Sequence, residues 1–390
     1  MRKGKSDMKR ILWILLIILL AAISRQDYTE AKVTGPCANC HTMHNSQNGT
    51  AMATYGASGQ PWTGSGTNQE LTRGACLGCH GIGTANIVNI GGSNIPQVWH
   101  TDGSGDLAGG NFAYITGAKG SGASDRKGHN VIDIGKTDAT LTQPPGLEIN
   151  MIGLNKVTNT TLTCAGTYGC HGYRKLHWPD YTPISGIPAV KGAHHTHISG
   201  KMDVASSYAN SYRFLTGVKG YEASNWQNLD ANNHNEYFGT TTPPSYYSGC
   251  ANYCHPNSAA GVQATNNTIS GFCYTCHGNF HELTGNGAAG TGIGSTNHSP
   301  FQRHPTDIVI PNSGEYAGYS TYNVQAPVAR QVVPGSISAT VSPGTDIVMC
   351  LSCHTAHASD YPSMLRWDYN TMVAGGGGSG GCFTCHTQKN

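Results

Sequence analysis

The chain has 390 residues, yet only 11% are charged and 8% aromatic, and 52 are glycine, a composition unlike that of an ordinary pair of globular domains. A formal charge of +2 excludes a strongly basic nucleic-acid binder. The low charge excludes the usual disordered class, which stays expanded through its charge. With 14 Cys and 19 His, something other than side-chain burial holds the chain together.

Arg2, Lys3, Lys5, Lys9 and Arg10 precede an apolar run over residues 11–23. This is a positive n-region and a short h-region, too short for a stable membrane span. Residues 1–31 therefore read as a signal peptide, cleaved after Ser24 or Ala31, and residues 32–390 as a single domain. The first cysteine is Cys37, so nothing points to a lipoprotein. Without residues 1–31 the chain carries 17 basic and 18 acidic residues, with no charge run to serve as a docking tail.

The cysteines of an exported chain ordinarily form disulfides. Here they fall into seven pairs, each followed at once by histidine. Five pairs have two residues between them: Cys37 and Cys40 with His41, Cys76 and Cys79 with His80, Cys273 and Cys276 with His277, Cys350 and Cys353 with His354, Cys382 and Cys385 with His386. Cys164 and Cys170 with His171 have five, and Cys250 and Cys254 with His255 have three. C-x-x-C-H is the c-type haem attachment signature: two thiols reach the vinyl groups on one porphyrin edge, and the adjacent imidazole reaches the iron. Zinc knuckles do not require the histidine, and a thioredoxin-type site would be one motif on a βαβ frame. Seven covalent haem c groups are expected. For the two long spacers a bulged loop still lets both thiols face the vinyls, with a small disulfide loop as the alternative.

Twelve histidines remain for the second axial position. The candidates are His44, His100, His129, His195, His281, His304 and His357. His44 and His357 stand three residues past a motif histidine, and His281 four. Each is too close to its own haem to reach the far face, and each is read as a ligand of a neighbouring one. Residues 193–197 hold three histidines, of which one or two are ligands. Bis-His iron is coordinatively saturated, so the reading is electron transfer, with no catalytic residues.

Regular structure is sparse. Residues 207–215 and the segments after the motifs are candidate short helices; 308–310 and the alternating 336–341 are candidate strands. Residues 37–46 and 350–359 form an approximate internal repeat. The fold class is mostly irregular coil with few short helices and strands, in which the porphyrins form the hydrophobic core.

Residues 37–46 (CANCHTMHNS), Arg126 to Asn130, Tyr212-Arg213 with residues 217–221, Arg303-His304-Pro305, residues 350–359 with Ser363-Met364, and residues 382–386 together resemble, in the same order, the filament-forming extracellular multihaem cytochromes of Geobacter-type metal reducers. The seventh motif, the two lengthened spacers and the central Gly-rich regions depart from that pattern. The resemblance implies coil-like subunits threaded by a chain of stacked haems, and a homopolymeric filament in which His44 ligates a haem of the adjacent subunit. It also implies electron conduction from the cell, through redox partners, to extracellular acceptors such as metal oxides. A monomeric periplasmic or surface carrier, and a multihaem oxyanion reductase, are the alternative readings.

Overall fold

The computed structural model describes residues 35–55, 64–65, 67, 71–146, 157–174, 176–177, 182–183, 200–242, 266–277, 280 and 304–389. The expected signal peptide, the Cys250, Cys254 and His255 motif, His195 and His281 lie outside the described residues; of His177 only the backbone is described.

Within those bounds the chain is coil interrupted by very short elements. Five two-stranded ladders pair Ser46–Gln47 (β1) with Thr50–Ala51 (β2), Thr54–Tyr55 (β3) with Gly64–Ser65 (β4), Ile87–Ile90 (β5) with Ser93–Pro96 (β6), Thr163–Ala165 (β7) with Gly169–His171 (β8), and Leu176–His177 (β9) with Thr182–Pro183 (β10). One larger sheet gathers Lys201–Met202 (β11), Gly220–Tyr221 (β12), Glu236–Phe238 (β13), Ile308–Val309 (β14), Ala329–Arg330 (β15) and Ile347–Val348 (β16) in the order β11-β12-β13-β15-β16-β14. Only β13 and β15 run parallel within it. Met202, Tyr237, Ala329 and Ile347 of this sheet are buried with Ile269, Phe272, Met349 and Leu351, so the sheet backs two cysteine motifs at once. A second cluster packs Leu77 against Trp99, Phe112, Ile115, Val131, Ile134 and Ala358.

Two expectations fail and one shifts. Residues 207–215 are not an α-helix: they form two 3-10 turns, Tyr208–Asn210 and Tyr212–Phe214, because Arg213 takes a left-handed φ of 53°. Residues 336–341 are not a strand; only Thr340 bridges, to Thr321. The helical turns coincide with the motifs rather than following them, as in Cys76–His80, Cys382–Cys385 and Ile269–Tyr274. The last is started by the Thr268 hydroxyl, which accepts from the Gly271 N–H at 2.8 Å. The strand over 308–310 is present as β14. Among the described residues no helix is long and apolar enough to cross a membrane.

Candidate haem-attachment and axial-ligand sites

One turn of helix explains the five short motifs. The N–H of the histidine donates to the carbonyl of the first cysteine in His41, His277, His354 and His386, at 2.8–3.1 Å, and Cys76–His80 is itself helical. Positions i, i+3 and i+4 share a helix face, so both thiols and the imidazole emerge together. The Cys164/Cys170 motif reaches a similar result by another route. Its five-residue spacer closes on itself: β7 and β8 pair in parallel with Thr163 opposite Gly169 and Ala165 opposite His171. Cys164 is therefore level with Cys170.

Among the described residues no two cysteines are joined in a disulfide, and burial raises several of the thiols. Burial pushes Cys79 and Cys170 up to about 11, and Cys353 and Cys385 up to about 12. Cys164 is raised by its hydrogen bond to Cys76 and then by burial; Cys273 is raised by its hydrogen bond to Cys350 and then by burial. The same interactions show which pairs are neighbours. Cys40 acts on Cys79, Cys76 on Cys164, Cys276 on Cys170, Cys350 on Cys273, and Cys382 on Cys353. The six described pairs stand in file, in chain order.

Six of the imidazoles share one orientation. Nδ1 faces a backbone carbonyl in His80 (Pro96, 2.7 Å), His171 (Arg213, 2.8 Å), His277 (Pro145, 2.7 Å), His354 (Ser363, 2.7 Å), His129 (Ala356, 2.8 Å) and His304 (Pro305, 3.0 Å). A carbonyl can only accept, so Nδ1 carries the proton and Nε2 keeps its lone pair for a metal. His386 directs Nδ1 at the Glu315 carboxylate instead, at 3.3 Å.

Three motif histidines face three distal candidates. Ring centroids are 6.1 Å apart for His171 and His357, 6.1 Å for His277 and His129, and 6.2 Å for His386 and His304. Two imidazoles bound trans to one metal, each at about 2 Å, have centroids about 6 Å apart. The donor set thus fits haem c: paired thiols, and imidazole pairs at the spacing of two axial ligands. Among the described residues no three His, Cys, Asp or Glu side chains converge as a metal cage would. Burial, with His171 and His129 adding to it, holds His357 down to about 3, which keeps the ring neutral. The Gly109-Gly110 bend admits it: a Cβ on Gly109 would lie 2.8 Å from the His357 ring, and one on Gly110, at φ 84°, would lie 2.0 Å from the Ala358 carbonyl.

The remaining candidates are placed differently. His100 is fully buried, with Nδ1 2.7 Å from Asp102 and Nε2 3.3 Å from Asp106 but without a hydrogen-bond partner, and among the described residues it stands opposite no motif histidine ring. His44 is exposed at the tip of a two-residue hairpin loop, between Met43 and Ser46, whose backbones bond each other both ways at 2.9 Å. His44 and Asn45 both take left-handed φ, 53° and 66°. Asn45 holds that shape: it is buried, and its side chain bonds the N–H and the carbonyl of Ala53, both at 2.8 Å.

Sequence reasoning missed the carbonyls that orient the rings. Two of them belong to left-handed residues, Arg213 (φ 53°) and Ser363 (φ 60°). Tyr212-Arg213 and Ser363-Met364 are segments of the family resemblance for which the sequence offered no role; their turns aim carbonyls at His171 and His354.

The family described as the doubled CXXCH motif matches residues 343–390. The C-type cytochrome OmcS of Geobacter sulfurreducens is 26% identical over 385 residues, 88% of this chain and 82% of that one. Two solved structures, the Outer Membrane Cytochrome S filament and the OmcS nanowires of the same organism, each show 21% identity and a TM-score of 0.40, covering 87% and 86% of this chain and 85% and 84% of theirs. With its motif spacing, its doubled CXXCH segment and its sequence similarity to OmcS, the chain is an OmcS-like multihaem cytochrome that binds haem c covalently.

Proposed function

We propose that the chain is exported, loses residues 1–31, and as one unit over residues 32–390 holds seven bis-His haem c groups in a filament that carries electrons to extracellular acceptors. Haem c supplies reversible one-electron chemistry when bound. The protein's own residues fix where it is held and which nitrogen faces the iron. Cys164 and Cys170, and Cys250 and Cys254, are read as attachment pairs like the other five. His357, His129 and His304 are the distal partners of His171, His277 and His386. His44, His100, His195 and His281 are kept as further ligands.

The observation that carries this reading is at the head of the file of cysteine pairs. Three residues beyond His41, a hairpin tip pinned by Asn45 leaves His44 exposed next to Met43, and Leu71, whose carbonyl accepts from the Thr42 N–H at 3.3 Å, adds a second exposed apolar side chain to this end of the chain; the two are 71% and 57% exposed. An imidazole offered to solvent among apolar side chains suits a ligand for a second copy of the chain. OmcS, the relative in sequence, forms filaments, which supports the same assembly. Negative-stain microscopy of the purified holoprotein should show filaments, shortened or abolished by His44→Ala. Monomers at full haem loading would return the soluble carrier instead, and full-length filaments from the variant would remove the bridging role of His44.

A further inference from the structure

Arg174 is 3% exposed and lies between two cysteine motifs. It follows His171 by three residues, but its side chain crosses to the other motif. One terminal nitrogen donates to the Thr275 hydroxyl at 3.1 Å and the other lies 3.8 Å from the sulfur of Cys276. The guanidinium covers the Phe272 ring at 4.9 Å, its Nε–H has no partner, and its charge opposes the upward push of burial on the Cys170 thiol. Among the described residues it meets no carboxylate.

Two other arginines of this region are neutralised. Arg330 bonds Glu236 at 2.9 Å and also Asp346, and Arg213 faces the fully buried Glu222 at 4.0 Å. A guanidinium keeps its charge in any protein environment, and a buried charge without a counter-charge is costly. The charge at Arg174 is left standing at the one point where it touches the attachment sulfur of one site and acts on that of the next. The sulfur it touches and the sulfur its charge acts on both become thioethers, so the cation is fixed near the edge of both groups.

We propose that Arg174 is a positive charge shared by the haem sites of the Cys164/Cys170 and Cys273/Cys276 pairs, and that it raises the reduction potentials of both together. The proposal rests on haem attachment at these two pairs. Reduction adds one electron to a site and makes it one unit less positive. A fixed cation in a medium of low dielectric favours that form, and one cation between two sites favours it at both. Arg174 is then a positioning residue for charge, not a ligand.

The test is a redox titration of the holoprotein, followed by EPR, with covalent haem counted on the tryptic peptides of each cysteine pair. Arg174→Gln should lower two midpoints and leave the others in place, with haem content and low-spin signals unchanged. Arg174→Lys, which keeps the charge, should hold both near their original values. Unchanged midpoints in R174Q overturn the proposal. So does a lysine variant that falls as far as the glutamine variant, since hydrogen bonding rather than charge would then be responsible. If R174Q does not accumulate, R174K alone decides: loss of its ammonium proton at high pH must lower the same two midpoints relative to wild type, and failure to do so overturns the proposal. A Cys164/Cys170 peptide without haem would instead refute the attachment reading, and is seen separately in the peptide count.

Discussion

His129 hangs on the backbone that carries His357: its Nδ1 lies 2.8 Å from the Ala356 carbonyl, and its N–H donates to the His357 carbonyl at 3.0 Å. Two distal candidates, 228 residues apart and facing different motif histidines, therefore share one anchor. The anchor is main chain, so deleting either ring leaves the other's support intact. His357→Ala and His129→Ala should each convert one haem from low-spin to high-spin, seen as a new high-spin EPR signal of one haem per chain. Conversion of two haems by either substitution would mean the rings depend on each other. A wholly low-spin variant would mean that the deleted ring is not a ligand.

The Glu315 carboxylate, 3.3 Å from His386 Nδ1, makes this imidazole unlike the motif histidines His80, His171, His277 and His354, whose Nδ1 partners are neutral carbonyls. A carboxylate partner makes the ligand more basic and favours the oxidised metal. Glu315→Gln should raise one midpoint potential and leave the rest unmoved. The measurement is an optical redox titration, and a fall in that midpoint would contradict the assignment.

Asp106 provides a pH test in the buried polar cluster around His100. Burial pushes its carboxyl up, but the adjacent His100, hydrogen bonds from Tyr114 and Lys119, and the Lys119 charge outweigh burial and hold it well below the usual carboxylate range. A depressed acid contributes stability above its unfolded value, about 4, and loses it as pH falls below that. Asp106→Asn should therefore cost about 2 kcal/mol at pH 7. Thermal melts should show the gap to wild type closing between pH 4 and pH 2. A gap independent of pH would assign the loss to packing.

The attachment count tests the longest spacer. With Cys164 level with Cys170 across β7 and β8, the intact mature protein should exceed its peptide mass by seven haem masses. Cys164→Ser with Cys170→Ser should reduce the excess to six. An excess of six in the wild type would leave that pair as free thiols or a disulfide.

The motifs were legible because their geometry is local: one helical turn converts the i, i+3, i+4 spacing into a shared face, and no distant residue is needed. The distal set was legible only in part. His129, His304 and His357 do face motif histidines, whereas the buried pocket that sets His100 Nδ1 against Asp102 exists only in the folded chain. The orienting carbonyls were invisible because any residue has one. Which carbonyl meets His171 depends on a left-handed Arg213 that is 42 residues away. The six-stranded sheet was equally hidden, since strands of two or three residues carry no period, and residues 336–341, which do alternate, are not a strand.

The contacts between Cys76 and Cys164, and between Cys273 and Cys350, bear on the order in which the molecule is made. In the folded chain these sulfurs lie against one another, so a ligating enzyme could address them only by prising the two segments apart. Covalent attachment therefore belongs before closure, on an extended chain. The folded form is a product of that chemistry, and its maturation has a direction that refolding from the finished apoprotein should not be able to retrace.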